Sequence, residues 1–340
     1  MKFELIWFDS FGAKSSCTLV KTDDVSILID PGVAIMHPSF PASDEEKLLW
    51  LYEGEERIRR AFGEADVVVV SHYHWDHFIP DPKLYRGKLL LAKNPNEYIN
   101  DSQRGRAVEF YSDLWSELGG KEIEFEENRK EFEEPELRSM DRDFGDYNKR
   151  RKELLEKGRR WFEKRVERWR RYKAIPERKL KDVEIVYPEG REFKFGGTRL
   201  KFTKPLFHGI EYSRVGWVFS TVVDDGRERL MHSSDLNGPI IEDYAEMIVK
   251  EKPDYLILDG PMTYMLGYTL NLINLRRVLE NVKSIVKELE FKLLVWDHHL
   301  PREPKFREHT REVWELARKL KKNVKTASEH QLGKAPVVER

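Results

Sequence analysis

The segment His72-Tyr73-His74-Trp75-Asp76-His77 puts four metal-capable side chains into six positions and takes three of the chain's ten histidines. Neutral imidazole and ionised carboxylate bind Zn2+, iron and manganese. In an extended or tightly turned loop, His72 and His74 can face one side while Asp76 and His77 reach another. One loop could then serve two neighbouring ions, whereas a helix would bring His74 and His77 together. Two ions need further ligands, including an oxygen donor shared between them. The candidates are His208 after LKFTKPLF, Asp235 after LMHSS, and His298 or His299 after KLLVWD.

Around these, His37, His232, Ser234, Asn237, Asp259, Tyr264 and Arg302 are residues to look for near the site. His37 lies in a Pro-flanked loop, where a substrate contact or a proton donor competes with plain surface packing. Asp259 precedes Gly260-Pro261, a turn that could aim its carboxylate at His298 or at the metals. His232 reads more simply as a half-buried structural histidine. Asp224-Asp225 before Gly226 reads as a hairpin turn rather than a catalytic dyad. No GxxxxGK[ST] loop and no dinucleotide fingerprint is present, which disfavours ATP and nicotinamide chemistry.

The elements that must position these groups follow from hydrophobic periodicity. Strands are expected at 3–8, 17–21, 26–30, 66–70, 88–92, 183–187, 193–195, 199–203, 216–223, 229–231, 255–259 and 291–297. Helices are expected at 43–62, 101–118, 241–250, 271–289 and 306–321, with a short tail over 324–340. DVVVV at 66–70 has no polar alternation and implies burial on both faces. Asp30, His72, Asp235, Asp259 and His298 each fall just after a strand, so the sheet ends repeatedly deliver polar groups.

The chain has 340 residues, 40% of them apolar, which suits one large α/β domain over 1–340. Its 60 basic and 61 acidic residues leave no global charge to attract a polyanion. Locally the balance breaks. Residues 121–143 hold ten acids and five bases, and residues 149–171 hold twelve bases and four acids. In the basic stretch Leu154, Gly158, Trp161, Phe162, Val166, Trp169 and Tyr172 recur at helical spacing. Residues 121–180 thus read as a charged helical insertion, packed on the domain with its bases paired to the acidic stretch. Its other readings are a nucleic-acid contact, a lid or a homo-oligomer interface. Cys17 is the only cysteine, which excludes an internal disulfide and a thiolate-rich zinc site. MKFELIWFDS has no signal-peptide core and no apolar run spans a membrane. A cytoplasmic protein is expected, and the charge excess suits a thermophile.

HYHWDH matches the HxHxDH signature and resembles the metallo-β-lactamase superfamily, in particular an archaeal branch of metal-dependent hydrolases. FDSFGAKSSC, HGIEYSRVGWVF and DYLILDGP resemble recurring features of that branch. The likeness covers roughly residues 3–119 and 183–320. It implies a four-layer αββα sandwich with the site between the sheets. It also implies His72, His74 and His208 on one metal, with Asp76, His77 and His298 on the other. Asp235 in HSSDLNGP would bridge them, and Asp30 in LIDPG would support a ligating histidine. Two features depart from the pattern: Asp235 follows Ser-Ser instead of glycine, and the last histidine is doubled, leaving His299 as an alternative ligand.

The implied chemistry is a bridging hydroxide between two divalent ions, with Asp76 orienting it as well as binding metal. Zn2+ is favoured, with Mn2+ or iron as alternatives. A small ester, lactone or phosphoester is the expected substrate. A nuclease using the basic helix 149–171 and a non-hydrolytic metal or redox protein are the alternatives.

Overall fold

The computed structural model describes residues 1–128 and 130–340; residue 129, inside the acidic stretch 121–143, lies outside the described residues. Two seven-stranded mixed sheets form the centre. The first runs in the order β1 (Lys2–Phe8), β2 (Ser16–Lys21), β3 (Ser26–Ile29), β4 (Val67–Val70), β5 (Lys88–Ala92), β9 (Val183–Val186), β8 (Arg178–Lys179). The second runs β10 (Glu192–Phe195), β11 (Thr198–Phe202), β14 (Thr221–Asp224), β15 (Arg229–His232), β16 (Tyr255–Asp259), β17 (Leu293–Asp297), β18 (Val324–Lys325). Two short ribbons pair β6 (Glu126–Glu127) with β7 (Lys173–Ala174), and β12 (Leu206–Phe207) with β13 (Trp217–Val218).

Val67–Val70 is apolar throughout because β4 runs parallel to both β3 and β5 and all four valines are buried. Helices cover the sheets. α1 (Asp44–Phe62) starts with a capping box, in which Ser43 accepts from the Glu46 amide and Glu46 accepts from the Ser43 amide. It packs on β1, where Gly54 lets the helix meet the Trp7 ring. α2 (Asp101–Leu114) is capped by Asn100. Over the second sheet, α4 (Glu242–Glu251) and α7 (Arg311–Lys319) pack against α5 (Leu272–Glu288). The architecture is the αββα sandwich the resemblance implies, with additional helical structure over 121–180.

The expected elements differ from the observed ones in places with clear causes. The single strand at 216–223 is two: Phe219–Ser220 separates β13, which turns back to β12, from β14 in the main sheet. The helix at 306–321 breaks at Thr310 into α6 (Phe306–His309) and α7. Helix 101–118 widens to a π-turn after Leu114. The tail adds the edge strand β18 and a second π-turn, where the Ser328 amide donates to Ser10.

Over 121–180 the main element is α3 (Asn148–Arg170). Its aromatic stripe packs as expected: Trp161 stacks on Trp217 (5.6 Å, 7°), and Phe162 and Trp169 meet Tyr98 and Trp217. Leu154 is the exception, exposed at the helix surface. Among the described residues, the expected pairing of its bases with the acidic stretch is seen at Arg159–Glu134. Arg165 and Arg168 pair instead with Asp101, and Arg151 with Glu211. The arm docks against α2 and the 208–217 segment, so the nearest acids are theirs.

Candidate metal centre

β3 and β4 run in parallel, so Asp30 and Ser71 emerge side by side. Asp30 Oδ1 accepts from the Ser71 amide (2.7 Å) and Oδ2 from the Ser71 hydroxyl (2.7 Å). The same Oδ2 lies 3.0 Å from His77 Nδ1. Asp30 thereby ties the start of the 71–77 loop to its end and fixes the His77 ring with Nε2 inward. Gly32 passes so close beneath this loop that a Cβ would stand 2.2 Å from the Phe78 amide nitrogen, which only glycine tolerates.

His72 Nε2 and His74 Nδ1 face each other at 3.0 Å, and Gln103 Nε2 lies 3.2 Å from the outer nitrogen of His74. The loop is irregular, and His72 and His74 fall in one group of possible ligands while Asp76 and His77 fall in another. β12 delivers His208 and β15 delivers Asp235 from the other half of the molecule. Asp235 Oδ2 lies 3.0 Å from His208 Nε2 and 3.5 Å from His72 Nε2. Its Oδ1 lies 3.3 Å from His77 Nε2 and 3.5 Å from His298 Nε2. Three overlapping groups result: His72, His74, His208 and Asp235; Asp76, His77 and His298; Asp235, His298 and His299. Within each, the candidate ligand atoms all lie within 4.8 Å of one another.

Several of these atoms are buried without a hydrogen-bond partner among the described residues: His77 Nε2, both ring nitrogens of His208, Asp235 Oδ1 and His298 Nε2. Buried polar atoms left unpaired are costly, and His77, His208, Asp235 and His298 each bring at least one of them to the groups above, a set that a cation completes. The donor types, imidazole nitrogen and carboxylate oxygen, fit a divalent ion. The surrounding backbone is held in an unfavourable region at the same place. Asp30, Ser234, Asn237, His298 and His299 all have positive φ without being glycine. Each such residue costs roughly 1–3 kcal/mol and persists where packing and function require it.

Electrostatics divide the histidines into two kinds. Burial pushes the His74 imidazole down to about 3 and His72 well below its ordinary value. Burial also opposes the charged forms of His77 and His298, but carboxylates outweigh it. Asp235 and Asp30 hold His77 well above its usual range, and Asp9 with Asp235 holds His298 up to about 10. Burial likewise disfavours the Asp235 carboxylate, yet the charged imidazoles of His77 and His298 keep it ionised.

The doubled histidine splits its duties. His298 joins Asp76 and His77, with its Nδ1 3.0 Å from Asp9 Oδ1. His299 Nε2 lies 3.7 Å from Asp235 Oδ2, and its Nδ1 lies 3.5 Å from Asp259 Oδ2. Asp259 falls outside the three groups. It accepts from the amides of Asn237 (2.6 Å) and Gly238 (3.3 Å), bracing the loop that carries Asp235. Burial and the Asp235 charge push its carboxyl well above the ordinary range. His37 also falls outside the groups, stacked on Tyr264 at 4.7 Å. His232 uses both ring nitrogens structurally, on the Ser16 carbonyl and the Ser234 amide.

Asp9 is the residue sequence reasoning missed. It is to His298 what Asp30 is to His77, and it also accepts from the Ser15 and His299 amides. Its signal was available, because it follows β1 directly, as the other polar groups follow their strands.

The sandwich and its His/Asp clusters define a metal-site protein of the metallo-β-lactamase superfamily, whose family model matches residues 12–79. The chain belongs to the archaeal UPF0282 family within that superfamily. A UPF0282 protein of Methanopyrus kandleri is 32% identical over 93% of this chain and 90% of its own. One from Korarchaeum cryptofilum is 31% identical over 94% and 86%. Among solved structures, the metallo-β-lactamase fold protein YhfI from Bacillus subtilis is similar with a TM-score of 0.45 at 13% identity, covering 95% of both chains. Among the described residues no helix is long and apolar enough to cross a membrane.

Proposed function

We propose that this chain is a hydrolase that uses two divalent ions, Zn2+ in preference to Mn2+ or iron, on a small ester, lactone or phosphoester. The observation that carries the reading is Asp235, whose two carboxylate oxygens face different sets of imidazoles. His72, His74 and His208 would hold one ion, and Asp76, His77 and His298 the other, with Asp235 between them. When bound, such ions supply Lewis acidity and a water acidic enough to act as nucleophile near neutral pH. The chain's own residues orient the ligands. Asp30 and Asp9 fix His77 and His298 through their outer nitrogens, and Asp259 braces the Asp235 loop and His299.

Elemental analysis of purified protein, beside a substrate panel, tests this. Wild type should carry two equivalents of metal, and His74→Ala should lose at least one together with all hydrolysis. Unchanged metal content in His74→Ala removes the reading. A second reading, a nucleic-acid phosphodiesterase, is favoured by one feature: Lys149, Lys152, Lys157, Arg160, Lys164 and Arg170 lie exposed along α3, near the segment that carries His208. Single-stranded RNA in the panel, cut with a steep loss on adding salt, would select it.

A further inference from the structure

Beside the Asp76 end of the cluster lies a group of cationic and N–H-bearing side chains that metal binding does not use. Arg302 is 4% exposed. Its Nε donates to Asp9, its Nη1 donates to the Tyr264 hydroxyl (3.2 Å), and its guanidinium lies over the Tyr264 ring. Its Nη2 is buried with no hydrogen-bond partner among the described residues, 3.6 Å from Asp76 Oδ2. The Tyr264 ring stacks in turn on His37, whose Nε2 is also buried and unpartnered. The Ser39 hydroxyl sits 2.7 Å from His37 Nδ1; with that hydroxyl donating, the ring hydrogen stays on Nε2.

Lys14 completes the group. Its backbone pairs with Ala34 in both directions (2.8 and 2.9 Å), which ties it to the loop that carries His37. Its side chain is half-buried, and its ammonium makes no ion pair or hydrogen bond among the described residues. Burial and the Arg302 charge both lower its pKa, so the two cations share one environment.

The charges decide what this group can hold. Asp9 and Asp76 are the acids whose fields reach Lys14. Asp9 already accepts from Arg302, His298 and backbone amides. Asp76 belongs to the metal cluster. Two cations then share a single carboxylate, and three nitrogens are left to donate: Lys14 Nζ, Arg302 Nη2 and His37 Nε2. A carboxylate brings one charge and two oxygens. A phosphoryl group brings up to two charges and three free oxygens, matching both the charge and the donor number.

We propose that Lys14, Arg302 and His37 form a phosphate-binding subsite, and that the substrate is a small-molecule phosphoester. This rests on the hydrolase reading and narrows it. In the reaction, water oxygen bonds to phosphorus and the bond from phosphorus to the ester oxygen breaks. The leaving oxygen takes up a proton, giving an alcohol and inorganic phosphate.

Inorganic phosphate, as the product, is the probe. Its binding is measured by calorimetry on metal-loaded and metal-depleted protein, with acetate as comparison and metal content determined for each sample. Phosphate should bind wild type at least about tenfold more tightly than acetate. Lys14→Gln should weaken phosphate binding about tenfold or more in both metal states, while Lys14→Arg stays close to wild type. Lys14 is half-buried and makes no side-chain bond, so both variants keep the fold. Equal phosphate affinity in wild type and Lys14→Gln, or acetate binding as tightly as phosphate, overturns the subsite. The hydrolase reading fails separately, on metal content: a wild type without metal could still bind phosphate through Lys14, and a two-metal protein could fail to.

Discussion

Asp235 is where two sets of imidazoles meet, and the sets differ in the proton they carry. With His74 pushed down to about 3 and His72 well below its usual value, both are neutral at pH 7 and ready to donate electron pairs. His77 and His298 are raised, the latter to about 10, so both are protonated at pH 7 in metal-depleted protein. A cation must displace those protons. Loading the Asp76–His77–His298 side therefore releases protons at pH 7, while His72 and His74 release none. Affinity on that side should rise with pH, about tenfold per unit for each proton displaced, and the share of that rise due to His298 should end near pH 10, once His298 is neutral. Calorimetry in buffers of different ionisation enthalpy counts the protons, and a count of zero at pH 7 would refute this assignment. At this scale the 72–77 loop was legible because its ligands are sequence neighbours. The Asp9–His298 contact joins residues 289 positions apart. Nothing in local pattern reports such a pairing until the sheets bring it about.

At the scale of elements, most strands that deliver the site were legible almost to the residue, because runs such as β4 and β17 are continuously apolar and end in polar groups; the two-residue β12, which delivers His208, is too short to show a pattern and was not expected as a separate strand. The arm was half legible. Periodicity marked the aromatic face of α3, since that face follows from one helix alone. Its ionic partners depend on which surface the helix docks against, which periodicity does not encode. The docking itself turns on Gly158, whose added Cβ would stand 2.6 Å from the Tyr212 Cβ and within 2.9 Å of its ring. Replacing a mid-helix glycine by alanine ordinarily gains about 1 kcal/mol of helix propensity. Overpacking against a fixed side chain costs about 1–3 kcal/mol. Tyr212 is itself held against Phe162 and Phe207, so it cannot give way and the clash wins. Gly158→Val, which adds bulk without alanine's propensity, should lower stability by about 1–3 kcal/mol. Because Tyr212 lies four residues after His208, metal affinity should fall with it. Thermal denaturation with and without added Zn2+ measures both, and a variant as stable as wild type would mean that α3 does not seat on Tyr212.

Across the whole molecule, the site draws Asp9, Asp30 and the 71–77 loop from one sheet. Asp235, Asp259, His298 and His299 come from the other, and His208 from a ribbon outside both main sheets. What ties that ribbon's loop to the rest is a buried ionic chain. Arg151 from α3 and Arg277 from α5 both bond to Glu211, and Arg277 continues to Glu242 at the start of α4. Most ion pairs of this chain lie at the surface, where each contributes about 0–1 kcal/mol. Glu211 differs because its side chain is 5% exposed and that of Arg277 4%. Burial makes the intact chain an ambiguous source of stability, since desolvation offsets attraction. Breaking it is not ambiguous. Glu211→Gln keeps the shape and removes the charge that two buried guanidinium groups face, leaving Arg151 with no acidic partner among the described residues and Arg277 with Glu242 alone. The expected loss is about 3–5 kcal/mol, read by denaturant unfolding, and it should change little with added salt because buried charges are poorly screened. A loss below about 1 kcal/mol would show that water reaches the chain, and that the arm and the His208 loop are held by aromatic packing alone.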